Sequence, residues 1–244
     1  MTALLASVTG PAEARLALEG GADIIDLKDP HRGALGALPA ATVRRAVAAV
    51  GGRAPVSATV GDVPARAAAV AAAIGARAET GVDIVKVALP STGAPAGCIR
   101  ALKAAPAAGV RVVVVLCADL GLDLALLPAL GDAGAFGIML DTARKGAGSL
   151  RRHVSDEQIG RFVADARHHG LATGLAGSLG PADVPPLLAH GPSYLGFRGA
   201  LCRGGRREAT PDPRRIARLR AAIPRRSGGP EPARSAPLAR ASTG

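Results

Sequence analysis

The chain has 244 residues, of which 48% are hydrophobic and 2% aromatic, so it suits one large domain or two small ones with a core of aliphatic side chains. Its formal net charge of +11 would suit a nucleic-acid-binding protein, but the scarcity of aromatic residues for base stacking and the lack of a recognisable binding motif leave that class as a remote alternative. The three cysteines form no CxxC pair, so we expect neither a disulfide framework nor a zinc site. Neither a signal-peptide pattern nor a continuous apolar span occurs, so we expect a soluble cytoplasmic protein without membrane contact.

Short apolar runs alternate with longer alanine-rich segments from the beginning of the chain onward. Runs of this kind, bounded by Gly, Pro or Asp, are typical of buried strands. They predict strands at Leu4–Val8, Asp23–Lys28, Val56–Val60, Ile84–Leu89, Val110–Leu116, Gly137–Asp141, Leu171–Ala176 and Tyr194–Arg198.

Helical patterns fill the intervals between these runs. The stretch "PAEARLALEGG" begins with Pro11 and ends at Gly20 and Gly21, which favour a helix start and a helix stop. The stretch "SDEQIGRFVADARHHG" begins with Ser155 and Asp156, residue types that cap helices. Similar patterns are "ATVRRAVAAVGG", "VPARAAAVAAAIGARAETG" and "ADVPPLLAHG".

About eight strand–helix units in roughly 220 residues predict an α/β protein with a (β/α)8 barrel, the TIM barrel. An open doubly wound sheet is the alternative, but no Gly-x-Gly-x-x-Gly follows the first strand, which weakens a dinucleotide-binding version of it. We expect residues 1–223 to form a single catalytic domain. Residues 224–244, rich in Pro, Gly, Ser and Arg, should be a disordered basic tail.

Charged residues recur at the carboxyl ends of the even-numbered strands, where barrel active sites form. Because side chains alternate along a strand, Asp26 and Lys28 should point into the barrel if Ile25 and Leu27 face the helices. The charged residues of the later even strands are Lys86, Asp141 with Lys145 in the loop behind it, and Arg198. Alternate strands fill the same interior layer, so we expect Asp26, Lys28, Lys86, Asp141 and Lys145 to converge.

Lysine is scarce in this chain, since most of the 30 basic residues are arginine. Lysine, unlike arginine, can lose its proton and attack a carbonyl. Two lysines in a partly dry cavity lower the pKa of an ammonium group through burial and like-charge repulsion. We therefore hypothesise a Schiff-base lysine, with Asp26 and Asp141 transferring protons. Any single pair of opposite charges is more simply interpreted as a structural ion pair at the barrel rim with no catalytic role. The recurrence of charged residues at four strand ends favours an active site.

Two glycine-rich loops follow the seventh and eighth strands, where barrels commonly bind phosphate through backbone N–H groups. They are "AGSLGPADV" and "RGALCRGGRR". Their candidate anion-binding residues are Gly177, Ser178, Arg198, Gly199 and Ala200. The arginines at 203, 206 and 207 are equally well explained as a solvated surface run.

Several stretches together resemble one family. They are "GGADIIDLKDP", "GALGA", "VSATVGDVP", "DIVKVAL", "MLDTARKG", "LAGSL" and "GFRGALCRGGRR". In this combination and order they are similar to the (5-formylfuran-3-yl)methyl phosphate synthases, also called 4-(hydroxymethyl)-2-furancarboxaldehyde-phosphate (4-HFC-P) synthases, of methanofuran biosynthesis. The resemblance spans about residues 4 to 207, is weakest over 91–135, and does not extend to the tail.

The resemblance implies a TIM-barrel lyase that condenses two molecules of glyceraldehyde 3-phosphate, with loss of phosphate and water, to a furan aldehyde phosphate. It implies that Lys28 forms the Schiff base and that Asp26, Lys86, Asp141 and Lys145 are catalytic. It implies no metal or organic cofactor, and a homo-oligomer. A class I aldolase or phosphosugar isomerase that uses the same lysine remains the nearer alternative.

Overall fold

The structure, a computed structural model, describes residues 1–90, 96–144 and 146–224. Eight parallel strands close into a barrel in chain order, with β8 pairing with β1. They are β1 (Ala3–Val8), β2 (Ile24–Leu27), β3 (Val56–Thr59), β4 (Ile84–Ala88), β5 (Arg111–Cys117), β6 (Gly137–Asp141), β7 (Ala172–Leu175) and β8 (Tyr194–Phe197). The predicted TIM barrel is therefore confirmed, and the open sheet is wrong.

A helix follows each strand. The helices are α1 (Pro11–Glu19), α2 (Ala40–Val50), α3 (Ala67–Ala78), α4 (Ala96–Ala101), α5 (Leu127–Asp132), α6 (Asp156–His168), α7 (Val184–Ala189) and α8 (Pro213–Ala222). None of the helices in the described ranges is long and apolar enough to cross a membrane. The candidate residue Lys145 and residues 225–244 of the predicted tail lie outside the described residues.

Helix α6 begins where its sequence pattern predicts. The Ser155 hydroxyl accepts a hydrogen bond from the backbone N–H of Gln158, and the Gln158 side chain accepts one from the backbone N–H of Ser155. This reciprocal capping box satisfies two N–H groups that the first turn leaves without helical partners. The buried residues Ile159 and Phe162 then set the face that packs on the barrel.

Apolar side chains form two layers, one on each face of the barrel wall. Ile25 and Leu27 belong to the large outer core between strands and helices. The smaller inner cluster fills the barrel itself and comprises Leu5, Leu35, Ile84, Val113, Val115, Met139, Ala176 and Tyr194. Because Ile25 and Leu27 face outward, the strand alternation turns Asp26 and Lys28 inward, as predicted.

Hydrogen bonds at the amino-terminal end of the barrel tie odd strands to even ones. The Asp23 carboxylate accepts from the backbone N–H of Leu4 at 2.7 Å, and the Asp83 carboxylate accepts from that of Val56 at 2.7 Å. The Ser193 hydroxyl accepts from the N–H of Thr173 at 3.0 Å. Each bond pairs an N–H at the start of one strand with the residue just before the next, and so fixes the strand register.

Gly174 makes room for the only tyrosine of the chain. A Cβ at Gly174 would lie 2.3 Å from two ring carbons of Tyr194, which is buried in the inner cluster.

Gly174→Ala should therefore lower the free energy of unfolding by about 1–3 kcal/mol, the usual cost of overpacking. Unfolding by urea measures this decrease in the free energy of unfolding. The matched control is Gly75→Ala in α3, where an added Cβ meets nothing within 4 Å and should stabilise by about 0.5–1 kcal/mol. Equal effects of the two substitutions would contradict the packing argument.

Candidate active site

Asp26 lies at the centre of a hydrogen-bonded cluster inside the barrel. The strand register places Ser7 of β1 and Ser57 of β3 on either side of it. The Ser57 hydroxyl donates to Oδ1 at 2.6 Å and the Ser7 hydroxyl donates to Oδ2 at 2.9 Å. The residue is fully buried, so its orientation is set by neighbouring strands and not by solvent.

Lys86 of β4 completes this cluster. Its Nζ lies 2.9 Å from Asp26 Oδ1, and the lysine is only 2% exposed. Its inward orientation follows from its neighbours in the strand, because Ile84 and Ala88 both pack with the inner cluster. Asp26 and Lys86 thus form a buried, hydrogen-bonded ion pair across the barrel interior.

The protonation of this ion pair depends on burial and on a second lysine. Burial alone raises the pKa of Asp26, but the charges of Lys86 and Lys28 and the hydrogen bond from Ser57 outweigh it and hold that pKa below its usual value. Burial lowers the pKa of Lys86, and the charge of Lys28 lowers it further, against the opposing effect of Asp26. The carboxylate therefore stays ionised, while the buried amine gives up its proton more easily than a surface lysine.

Lys28 and Asp141 lie nearer to the mouth of the barrel. Lys28 directly follows β2, and its Nζ is 3.7 Å from Oδ2 of Asp141 at the end of β6. The other carboxylate oxygen of Asp141 accepts a hydrogen bond from the backbone N–H of Thr142 at 2.8 Å. Lys28 is 8% exposed, more than Asp26 or Lys86, as expected one level closer to the opening. Four of the five predicted catalytic residues are therefore brought together; the fifth, Lys145, is outside the described residues.

The loops after β7 and β8 lie side by side, because these strands pair in register. Gly177 has a φ of 107° and Ser178 a φ of 49°; Ser178 is the only non-glycine residue at positive φ in the described ranges. Gly199 and Ala200 begin a short 3₁₀ turn. No described acceptor of the chain takes a hydrogen bond from the backbone N–H groups of these four residues. The arrangement leaves four donors available at the barrel mouth.

The side chain of Arg198 is already occupied. Its guanidinium forms an ion pair with Glu13 and donates to the backbone carbonyls of Ser7, Arg207 and Ala209. Arg198 therefore shapes the loop from within, and a direct contact of its side chain with phosphate stays a prediction.

Sequence reasoning overlooked Ser7, Ser57 and Tyr194 as parts of this site. The signal for the serines was available, since each is a polar residue at an inward position of an apolar strand, but their shared partner becomes evident only from the register. Tyr194 is buried below the cluster, and burial together with the charge of Asp26 raises its pKa. Within the described ranges, no three His, Cys, Asp or Glu side chains are grouped so that they could hold a metal ion.

Such a cluster can form and protonate a covalent imine. An amine at the mouth can attack a carbonyl, and the adjacent carboxylate can move protons at the neighbouring carbon. The deeper ion pair supplies fixed charges in a site from which water is largely excluded, where electrostatic effects are strong.

Comparisons with known proteins identify a family for the chain. The family model described as 4-HFC-P synthase matches residues 4–220. The chain is 49% identical over 214 residues to a Methylorubrum extorquens protein named "Putative (5-formylfuran-3-yl)methyl phosphate synthase", covering 88% of each chain. It is 38% identical to the (5-formylfuran-3-yl)methyl phosphate synthase of Methanopyrus kandleri, covering 84% of this chain and 91% of that one.

The similarity to solved structures supports the fold only. The chain superposes on a 3-hexulose-6-phosphate synthase with a TM-score of 0.63 at 22% identity, covering 91% of this chain and 100% of the other. It superposes on KGPDC from Streptococcus mutans with a TM-score of 0.65 at 14% identity, covering 91% and 97% of the two chains. At these identities the likeness concerns the barrel and not the chemistry.

Proposed function

Because the chain belongs to the 4-HFC-P synthase family, we propose that it is a lyase that condenses two molecules of glyceraldehyde 3-phosphate into (5-formylfuran-3-yl)methyl phosphate, with loss of phosphate and water. The observation that carries the proposal is the placement of Lys28. Its Nζ lies at the barrel mouth, 3.7 Å from the Asp141 carboxylate, with the Asp26–Lys86 ion pair directly beneath.

Lys28 is the residue that forms the Schiff base. After it has given up its proton, the amine adds to the carbonyl carbon of one triose phosphate, and the resulting carbinolamine takes up a proton and loses water to give an iminium ion. The iminium makes the C–H bonds of the adjacent carbon acidic, so a nearby base can generate the carbon nucleophile that attacks the second aldehyde. Asp141 is the described carboxylate closest to Lys28 and takes this proton. Lys145, which follows Asp141 in the chain, shares the later proton transfers.

Asp26 and Lys86 act from the deeper level. Asp26 accepts hydrogen bonds from both serines and from Lys86, so it serves as a fixed negative charge that stabilises the iminium. Lys86, whose pKa is lowered by burial, protonates the oxygen of the second carbonyl as the new carbon–carbon bond forms. Eliminations of phosphate and water and ring closure then give the furan.

The backbone N–H groups of Gly177, Ser178, Gly199 and Ala200, which donate to no acceptor among the described residues, hold a substrate phosphate. Backbone N–H groups at glycine-rich turns bind phosphate because several donors point at one anion. Elimination leaves one phosphate on the product, so the same donors retain the bound intermediate through every step.

The direct test is incubation of the purified protein with glyceraldehyde 3-phosphate. We expect a furan aldehyde chromophore to appear together with an equal amount of inorganic phosphate, and product analysis to identify (5-formylfuran-3-yl)methyl phosphate. Formation of a ketose phosphate without release of phosphate would instead identify an aldolase or isomerase and overturn the proposal.

A further inference from the structure

The loop between β2 and α2 (residues 28–39) covers the barrel mouth beside Lys28. The backbone N–H of Asp29 donates to the carbonyl of Gly36 at 2.9 Å, and the Thr59 hydroxyl donates to the same carbonyl at 2.9 Å. Leu35 is 6% exposed and packs with the inner cluster. The base of the loop is thus anchored, and its apolar side chain closes the interior from above.

The tip of this loop is held by Arg207, a residue of the β8–α8 loop. Its Nη2 donates to the carbonyl of Pro30 at 2.7 Å and to that of Gly33 at 2.9 Å. The tip residues His31, Arg32 and Gly33 are exposed. The guanidinium of Arg207 therefore holds the tip through two hydrogen bonds, in addition to the one that the Asp29 carboxylate accepts from the backbone N–H of His31 at 2.9 Å.

Arg207 also contacts the loop that we assign to phosphate binding. Arg198 Nε donates to the carbonyl of Arg207 at 2.7 Å. A Cβ added at Gly199 would lie 3.8 Å from the backbone nitrogen of Arg207 and 3.9 Å from its Cβ, so the two residues are neighbours within the loop. One residue thus links the anion-binding backbone to the segment that follows Lys28.

We propose that Arg207 is a positioning residue that closes the β2–α2 loop over Lys28 when the β8–α8 loop binds a substrate phosphate. The proposal rests on the proposed function for the identity of the phosphate site and of the Schiff-base lysine. Closure places Leu35 over the reacting carbons and keeps water from hydrolysing the iminium. A ligand that orders one loop stabilises the other, because both depend on the same side chain.

Hydrogen–deuterium exchange of peptides covering residues 30–38, with and without inorganic phosphate, tests the link without turnover. We expect phosphate to slow exchange in the wild type. In Arg207→Met, exchange should be faster and should not respond to phosphate. The matched control is Arg206→Met, because the exposed side chain of Arg206 makes no hydrogen bond or ion pair within the described ranges. It removes the same charge from the same loop and should behave as the wild type.

Kinetics and a conservative variant complete the test. With glyceraldehyde 3-phosphate, Arg207→Met should lower kcat/KM about 10–100-fold, the loss expected from a misplaced reacting group, while Arg206→Met should not. Arg207→Lys should recover part of this loss and serves as the test variant if Arg207→Met does not fold. Phosphate protection in Arg207→Met equal to that of the wild type, or none in the wild type, would overturn the proposal. If protection depends on Arg207 but no furan forms, the proposed function fails and the link stands.

Discussion

Lys28→Ala is expected to abolish covalent capture of the substrate. Treatment of the wild type with glyceraldehyde 3-phosphate and borohydride should add a reduced triose phosphate to Lys28, detectable by mass spectrometry of its peptide. The variant should give no adduct and should lose at least about 10³-fold in kcat, because it lacks the group that makes the covalent intermediate.

Lys103→Ala is the matched control for this experiment. Lys103 is an exposed lysine in a short 3₁₀ turn outside the barrel, so its removal should leave both labelling and turnover unchanged. An adduct formed equally well in Lys28→Ala would show that another amine captures the substrate and would end the assignment.

Lys86→Met is expected to destabilise the fold as well as to inactivate it. The substitution leaves the Asp26 carboxylate fully buried without its counter-charge. Removing one partner of a buried ion pair costs about 3–5 kcal/mol. Urea unfolding at neutral pH should show a decrease of this size in the free energy of unfolding. Lys103→Met, which removes an exposed lysine, should leave the free energy of unfolding almost unchanged.

The decrease in unfolding free energy caused by Lys86→Met should depend on pH. In the wild type the folded-state pKa of Asp26 lies below its ordinary value of 3.8, so the stability that this carboxylate contributes is present above that pH and is lost below it. Without Lys86, less opposes the effect of burial, so the pKa of Asp26 is higher in the folded variant than in the folded wild type, and the folded variant takes up this proton at a higher pH. The difference in unfolding free energy from the wild type should therefore narrow as the pH falls from 7 towards 4.

A double variant separates the charge effect from packing. Asp26→Asn with Lys86→Met removes both charges, keeps an acceptor for one serine hydroxyl and offers an N–H donor to the other, so it should recover most of the lost stability while remaining inactive. If the double variant is as unstable as the sum of the two single ones, the unpaired carboxylate is not the cause.

Much of the barrel could be predicted from local pattern. The apolar runs predicted every strand to within one residue at each end. The alternation of Ile25 and Leu27 with Asp26 and Lys28 predicted which face each side chain takes. Parallel strands buried on both faces leave such continuous apolar runs, and a charge within one is therefore conspicuous. Helices α4, α5 and α8 were not predicted individually, because two are short and α8 lies in an arginine-rich stretch.

The partners of each charged residue could not be predicted in the same way. Ser57 lies 31 positions from Asp26 along the chain, and Lys86 lies 60 positions away; only the register brings them together. Arg207 was expected to be either an anion ligand or a surface residue, whereas its side chain donates to two carbonyls of a distant loop and forms an ion pair with Glu208. The sequence states which residue types are present, whereas these contacts depend on how loops fold over the barrel.

The carboxylate and hydroxyl groups at the amino-terminal end of the barrel reveal a rotational pseudo-symmetry. Asp23, Asp83 and Ser193 perform the same task directly before β2, β4 and β8. Three residues beyond them, the equivalent inward positions carry Asp26, Lys86 and Gly196. Three residues that align neighbouring strands thus lie below a carboxylate, an amine and a glycine at a single height, and the space beside that glycine is filled by Met139, whose Cε would lie 2.9 Å from an added Cβ. The aligning residues can therefore stay constant while substitutions at the levels above them change the chemistry of the barrel interior.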